Sequence, residues 1–474
     1  MAGVGRQLTV GVDLGTTAVK AVAVDPEGQV LARSRVPHPL RGDQPGCLEV
    51  DARAAWRRGP RRALARVLEA LERQGQAEVL ALGITGMVPS LTAVDRRGVP
   101  LLPGVLYLDR RALGEGGAEP AVLPPASPGL AGLVAWAAAS APGAAGYWPA
   151  QAVAGAALGG AGAVDDAVAL AAGDLWGPGG WEEERIRRLG AEPTQLPQVQ
   201  RIGAPAGSAS LGPGRPRVPL AAGSVDALCE QLVAGVGEVG EVLAIGGASL
   251  VVWVVAPAGS PAPEGLWEVP HLVPGRVLLG GPTNAGALFV DWAWRCLGLG
   301  DRRVLGEEPA PHRVPIWLPF PRGERLGLVP PGVRAALMDL EVGQGPGALR
   351  RAVLEASAFM VRLVVEATGV PVRRIRVTGG LAASVEWLTA LAEVLGRPVE
   401  AGVPEGGALG AAFLAALAVG RARDLAEGAT WARTVRCIEP RPSWLGPCAD
   451  RYERFRALLT GAGLASAQVP RRAR

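Results

Sequence analysis

Leu8-Thr-Val-Gly-Val12 runs into Asp13-Leu-Gly-Thr-Thr17 and continues as Ala18-Val-Lys20-Ala-Val-Ala-Val24. A short β-forming run ends at an acid, a small-residue turn follows, and a second apolar run begins. Asp25-Pro-Glu-Gly28 is the next turn signal, and Val30 to Val36 supports a third strand. Three strands joined by tight turns predict an antiparallel meander. The first turn also carries chemistry. Tight glycine turns hold phosphate oxygens on backbone N–H groups, and short hydroxyls add donors. Gly15 lets the backbone come close, and Thr16 and Thr17 supply the hydroxyls. Asp13, at the strand end, can hold Mg²⁺ directly or through water. Thr16, Ala18 and Lys20 share one parity, so the lysine can point to the same phosphates. The bland alternative is an ordinary hairpin turn.

Lys20 is the only lysine in the 474 residues; every other basic position in the Lys+Arg total of 48 is Arg. Either it is a chance survivor of a compositional bias, or one site needs a compact ammonium that Arg cannot mimic. The single lysine excludes several chemistries. A Walker A loop needs Gly-Lys-Ser/Thr, and Lys20 follows Val19. A protein-kinase pattern needs a glycine-rich loop upstream of its lysine. A pyridoxal enzyme could use only Lys20.

The remaining composition is that of a globular chain, with 49% hydrophobic and 19% charged residues and a net charge of +4. The length predicts two large domains. The small basic excess is spread along the chain, so no nucleic-acid partner is expected. Five cysteines form no CxxC pair, and the three histidines lie far apart, so neither zinc nor a Ser-His-Asp triad is suggested. The N-terminus lacks a signal-peptide core. The longest apolar run, Gly406 to Gly420, is short for a membrane span and reads as a buried helix. A cytoplasmic protein without membrane partners is expected.

Further along, Ala52 to Gln74 alternates as an amphipathic helix, and Val79 to Thr85 and Leu91 to Asp95 as strands. Residues 120–162 suggest short helices and loops, and 203–217 a surface connection. Val218 to Ala222 is a strand closed by Gly223-Ser-Val-Asp226. Asp226 therefore lies just past a strand, where α/β folds contact ligands. It can accept the proton of a hydroxyl attacking a γ-phosphate, or it can cap the helix that follows. Glu241 to Ile245, Gly246-Gly-Ala-Ser249 and Leu250 to Val255 repeat the opening pattern, which predicts two related α/β halves. Gly247 and Ser249 offer a second phosphate turn. Arg374 to Val377 leads into Thr378-Gly-Gly380, where Gly379 and Gly380 either cradle a nucleoside or simply pack. Ser384 is a helix N-cap with Glu386 in the first turn. Glu405 opens the last glycine-rich helix.

In their order these motifs resemble the FGGY carbohydrate kinases. The phosphate turn Asp13 to Thr17 matches closely. Thr85-Gly86, Asp95-Arg-Arg-Gly98 and Asp109-Arg-Arg111 resemble the substrate loops, and Gly223 to Asp226 the catalytic Gly-x-x-Asp. Pro319 to Arg325 matches Pro-x-x-x-Gly-Glu-Arg. Thr378 to Gly380, Trp387-Leu388, Leu395 to Pro398, Glu405 and Gly410 to Ala412 resemble the adenosine motif.

The resemblance implies two actin/hexokinase-like (RNase H-like) α/β domains with an active-site cleft between them. Residues 1–228 would carry substrate and base, and 229–474 the nucleotide, the last helix being free to pack back on the first domain. It implies ATP and Mg²⁺, a small sugar or sugar-acid substrate, and a homodimer as one assembly. Asp226 would be the base, and Asp13 the metal ligand. Gly15, Thr16, Thr17, Lys20, Gly247 and Ser249 would hold phosphate. Gly379, Gly380, Ser384 and Glu405 would hold adenosine, and Gly86, Met87, Asp109 and Arg111 the substrate. The chain departs from the family at Gly247-Ala248-Ser249, which lacks a hydroxyl, at Gly86-Met-Val-Pro89, at Gly323 to Gly327 and at Thr389. The Arg-Glu pair of glycerol kinases is absent, which disfavours glycerol. A weakly catalytic ATP- and sugar-binding regulator is the competing reading, and an actin- or chaperone-like ATPase a third.

Overall fold

The computed structural model describes residues 6–42, 46–75, 77–109, 111, 129–299, 308–330 and 332–461. The chain divides into two compact units. One comprises Met1–Gly235 and Glu405–Ala432, the other Val236–Pro404 and Arg433–Arg474. The sequence boundary at 228/229 assigned residues 405–432 to the second half; the structure groups them with the first.

Along the chain come β1 (Arg6–Leu14), β2 (Ala18–Val24), β3 (Val30–Pro37), α1 (Gly59–Gln74) and β4 (Ala77–Gly86). Then follow α2 (Ala150–Ala157), β5 (Pro205–Ser210), β6 (Arg217–Ala221) and α3 (Asp226–Ala234). The second unit holds β7 (Glu241–Gly246), β8 (Leu250–Pro257), β9 (Arg276–Thr283), α4 (Ala287–Cys296), α5 (Pro346–Thr368), β10 (Arg374–Thr378) and α6 (Val385–Leu395). After β11 (Val399–Ala401), α7 (Gly406–Ala418) belongs to the first unit and α8 (Pro442–Leu459) to the second.

The first unit is built on a sheet ordered β5-β6-β4-β1-β2-β3, with Ser224–Val225 also pairing to β4. The expected meander is β1-β2-β3, antiparallel throughout. β4 lies parallel to β1 on its other side. The strands read as apolar runs because most of their residues are buried. α7 packs against β1 and β4 at van der Waals limits. A Cβ on Gly11 would lie 1.8 Å from the Ala408 carbonyl oxygen, and one on Gly83 1.9 Å from that of Ala411. Bare glycine backbone in both strands is what admits the helix. α7 is buried from Gly406 to Ala416, as its apolar composition on every face requires.

The expected connection over 203–217 is instead partly an edge strand. β5 pairs antiparallel with β6 through a bulge between Pro205 and Ser208. Gly207 sits in it at φ +93°, and Ala206 and Ala209 are both buried. The bulge breaks the two-residue period by which a strand is recognised.

The second unit repeats the plan. β7, β8 and β9 form an antiparallel meander, and β10 runs parallel to β7. α6 is capped as its sequence suggests: the Ser384 hydroxyl accepts from the Trp387 amide at 3.3 Å. α8, left free in the sequence reading to pack on the first domain, is anchored in the second unit. The Arg451 guanidinium grips the buried Glu355 carboxylate of α5 at 2.7 Å through both Nε and Nη2. Arg351 adds a third bond to Glu355 and pairs with Glu393 of α6 at 2.6 Å. Burial pushes Glu355 upward, but Arg451 and Arg351 outweigh it and hold the carboxyl below its ordinary value. No helix among the described residues is long and apolar enough to cross a membrane.

Candidate functional site

In the first unit the sheet register brings distant residues into one row. Asp13 pairs with Lys20 on β2 and with Thr85 on β4, and Thr85 pairs with Ser224. The next row is Val19, Leu14, Gly86 and Val225. Asp13, Lys20, Gly86 and the segment entering Asp226 thus meet at one end of one sheet.

Lys20 Nζ lies 3.7 Å from Asp13 Oδ2. Asp13 is only 7% exposed. Burial raises its proton affinity, and the Lys20 ammonium opposes the rise. A Cβ at Gly407, in the first turn of α7, would come within 3.3 Å of the Asp13 carboxyl carbon. Glycine at that position lets the helix backbone pack close beside the carboxylate.

Asp226 is the first residue of α3, and the N-cap position belongs to Val225. Its Oδ1 accepts from the adjacent Ala227 amide at 2.8 Å. Its surroundings push the carboxyl up to about 6: burial first, then the charge of Asp13, with the Ala227 amide and Lys20 pulling the other way. Asp13, Lys20 and Asp226 therefore share one electrostatic field.

The turn at 15–17 is braced by groups that sequence patterns did not single out. Gly15 N–H bonds the Ala18 carbonyl at 3.1 Å. Thr16 is buried, with Oγ1 3.4 Å from the Tyr107 hydroxyl, while Thr17 is exposed. His38 donates its amide to the Thr17 carbonyl at 3.0 Å, and its Nε2 bonds the Gly15 carbonyl at 3.1 Å. Nothing near His38 in sequence signals this, because the contact arises from the pairing of β2 with β3.

The substrate set is distributed unevenly. Gly86 ends β4 in the row beside Val225. Met87 is 4% exposed and packs in the core. Asp109 is fully buried; its carboxylate accepts from the Leu48 amide at 2.8 Å and from Arg111 at 2.7 Å. Arg111 also pairs with Glu49 at 2.6 Å, and these two acids raise its proton affinity further.

The second unit brings its own group together. A Cβ at Gly379 (φ +77°) would meet the Gly246 carbonyl oxygen at 2.9 Å. The Gly379–Gly380 corner thus abuts the strand end that leads into Gly247 and Ser249. That turn is tied to the start of α4, whose Ala287 and Leu288 amides bond the Gly247 and Ala248 carbonyls at 3.0 Å. Glu324 is the acid of the Pro319 to Arg325 motif. It accepts from Thr283 Oγ1 at 2.8 Å and from the Asn284 amide at 3.1 Å, bracing the loop before α4. Of the adenosine set, Gly379, Gly380 and Ser384 lie in this unit. Glu405 lies in the first, 3.4 Å from Arg33.

Residues 8–116 match the N-terminal domain of the FGGY family of carbohydrate kinases, and residues 242–419 its C-terminal domain. The chain is 26% identical to the xylulose kinase of Escherichia coli (strain K12) over 459 residues, covering 88% of this chain and 91% of that protein. It is 28% identical to the glycerol kinase of Methylorubrum extorquens (strain PA1) over 476 residues, covering 86% and 89%. The crystal structure of xylulose kinase from Rhodospirillum rubrum superposes with a TM-score of 0.72 at 23% identity, covering 97% and 99%. The two family domains together span more than half of the sequence, and the fold carries two actin/hexokinase-like domains. The chain belongs to the FGGY family of carbohydrate kinases and is a phosphotransferase.

Proposed function

We propose that the protein transfers the γ-phosphoryl group of ATP to a hydroxyl of a small sugar, polyol or sugar acid, with Asp226 as the base. The observation that carries this reading is that Asp226 follows directly on Val225, the partner of Gly86, at the sheet end where Asp13 pairs with Lys20, and that it feels both charges. A base in phosphoryl transfer mainly orients the nucleophile and accepts its proton as the bond forms. Asp226, raised to about 6, is ionised at neutral pH yet basic enough to take that proton.

Asp13 is the residue to hold Mg²⁺, directly or through water, because it places a carboxylate beside the turn at 15–17. Gly15, Thr16, Thr17 and Lys20 are the phosphate contacts that the first unit offers; Gly247 and Ser249 are a phosphate turn of the second unit taken by itself. Gly379, Gly380 and Ser384 are the nucleoside contacts. Bound Mg²⁺ would neutralise phosphate charge, and Lys20 adds a compact positive charge of its own. The likeness to a xylulose kinase puts ketopentoses first among substrates, and the missing Arg-Glu pair puts glycerol last. Nothing observed favours the regulatory alternative.

The experiment is a panel of ketoses, polyols and aldonic acids with ATP and Mg²⁺, read as ADP release. One substrate is expected to stimulate turnover well above the ATP-only rate. A flat panel removes the reading. Asp226→Ala is expected to lower kcat by at least about 10³-fold while ATP still binds.

A further inference from the structure

Gln151 is absent from every motif above, yet it is fully buried at the start of α2. Its Nε2 donates to the Gly86 carbonyl at 2.8 Å and to the Ser224 carbonyl at 3.0 Å. Gly86 opens the substrate loop, and Ser224 stands two residues before Asp226. One side-chain amide therefore joins the two segments that must be in register for a substrate hydroxyl to meet its base. Two carbonyl acceptors require two N–H donors, so the amide orientation is set by its partners.

The backbone is shaped around this contact. A Cβ on Gly223 would fall 2.5 Å from Gln151 Cβ. Thr85 Oγ1 bonds the same Ser224 carbonyl at 3.2 Å. The Gly223 carbonyl accepts from the Asp165 amide at 2.8 Å. Ser224–Val225 is only two residues long, and its ladder to β4 is correspondingly brief. Its position depends on these added bonds. Removing the amide would take the Gln151 bond from the Gly86 carbonyl and leave the Ser224 carbonyl its bond from Thr85, and small displacements of a reacting group are costly in rate.

We infer that Gln151 is a positioning residue that locks the substrate loop at Gly86 to the Gly223–Asp226 segment. The inference rests on Asp226 being the base. It predicts a specific kinetic pattern, because Gln151 touches the sugar side of the chemistry and none of the phosphate turn.

The test uses the full-length enzyme with its best sugar. Gln151→Met removes both donors at similar volume. It is expected to lower kcat/KM for the sugar by about 10²-fold while KM for ATP stays within about twofold. In an Asp226→Asn background, the same change is expected to alter residual kcat by less than about twofold, because the two act as a unit. If Gln151→Met does not fold, Gln151→Leu decides the matter, having neither N–H nor O–H to give. Normal sugar kinetics in a folded Gln151 variant beside an inactive Asp226→Asn would overturn the inference alone. A parallel rise in both Michaelis constants would do the same, by showing a general loosening. Normal turnover of Asp226→Asn would overturn the base assignment, and this inference with it.

Discussion

Lys20 stands across the β1–β2 ladder from Asp13, so the one lysine in the chain is held beside the turn at 15–17. Its charge also pulls the Asp226 carboxyl down against burial and Asp13. In its proposed role as the base, Asp226 must be ionised. The profile of kcat/KM is therefore expected to fall as pH drops through about 6. Lys20→Met should move that limb to higher pH, because a charge favouring the carboxylate is gone. A limb that stays in place under Lys20→Met would refute the coupling.

Asp165 gives a second pH effect, on stability. It is fully buried, its Oδ1 caps a short helix through the Val168 amide at 3.1 Å, and burial pushes it up to about 7. The folded state thus keeps a proton that the unfolded chain releases near its ordinary value of 3.8. Asp165 contributes most to stability below that value, and its contribution declines until pH passes about 7. Asp165→Asn, which mimics the protonated acid, should flatten this part of the curve. Its melting temperature relative to the parent is expected to be higher at pH 8 than at pH 5. Asp13 and Lys20 were legible from residue type and strand parity. Gln151 and His38 were not, because their partners are backbone carbonyls of strands elsewhere in the chain.

At the scale of elements, α7 shows both the reach and the limit of sequence patterns. Its Gly/Ala/Leu composition identifies a buried helix. A helix apolar on every face has no preferred side, so the pattern does not say what it packs against. Gly11 and Gly83 supply the answer in the fold. Gly11→Ala places a methyl 1.8 Å from the Ala408 oxygen, and the backbone of both elements must part. The expected destabilisation is about 3 kcal/mol or more, read as a shift in urea midpoint. An unchanged midpoint would show that the interface gives freely. β5 illustrates the opposite failure, a strand hidden because the bulge at Gly207 interrupts its period. The Ser384 cap lay within reach of sequence because a cap is made within three residues of itself.

At the scale of the whole molecule, the first unit is assembled from two separated pieces of chain. A protein ended at Pro404 would retain β1 and β4 but lose α7, leaving their glycine-lined face uncovered. It is expected to be insoluble or rapidly cleaved by protease, whereas the full chain resists. Protease resistance of residues 6–235 in such a truncation would refute the dependence. The sequence by itself determined the strand–turn–strand openings of both halves, the turn at 15–17 with its acid and lysine, and the ordered motifs of the family. Each is local, made by residues within a few positions of one another. Only the tertiary structure decided which unit receives α7 and that Asp226 feels Asp13 and Lys20. It alone placed one buried glutamine between Gly86 and Ser224. Sheet register and helix packing join residues far apart in the chain, and local pattern carries no record of such pairings.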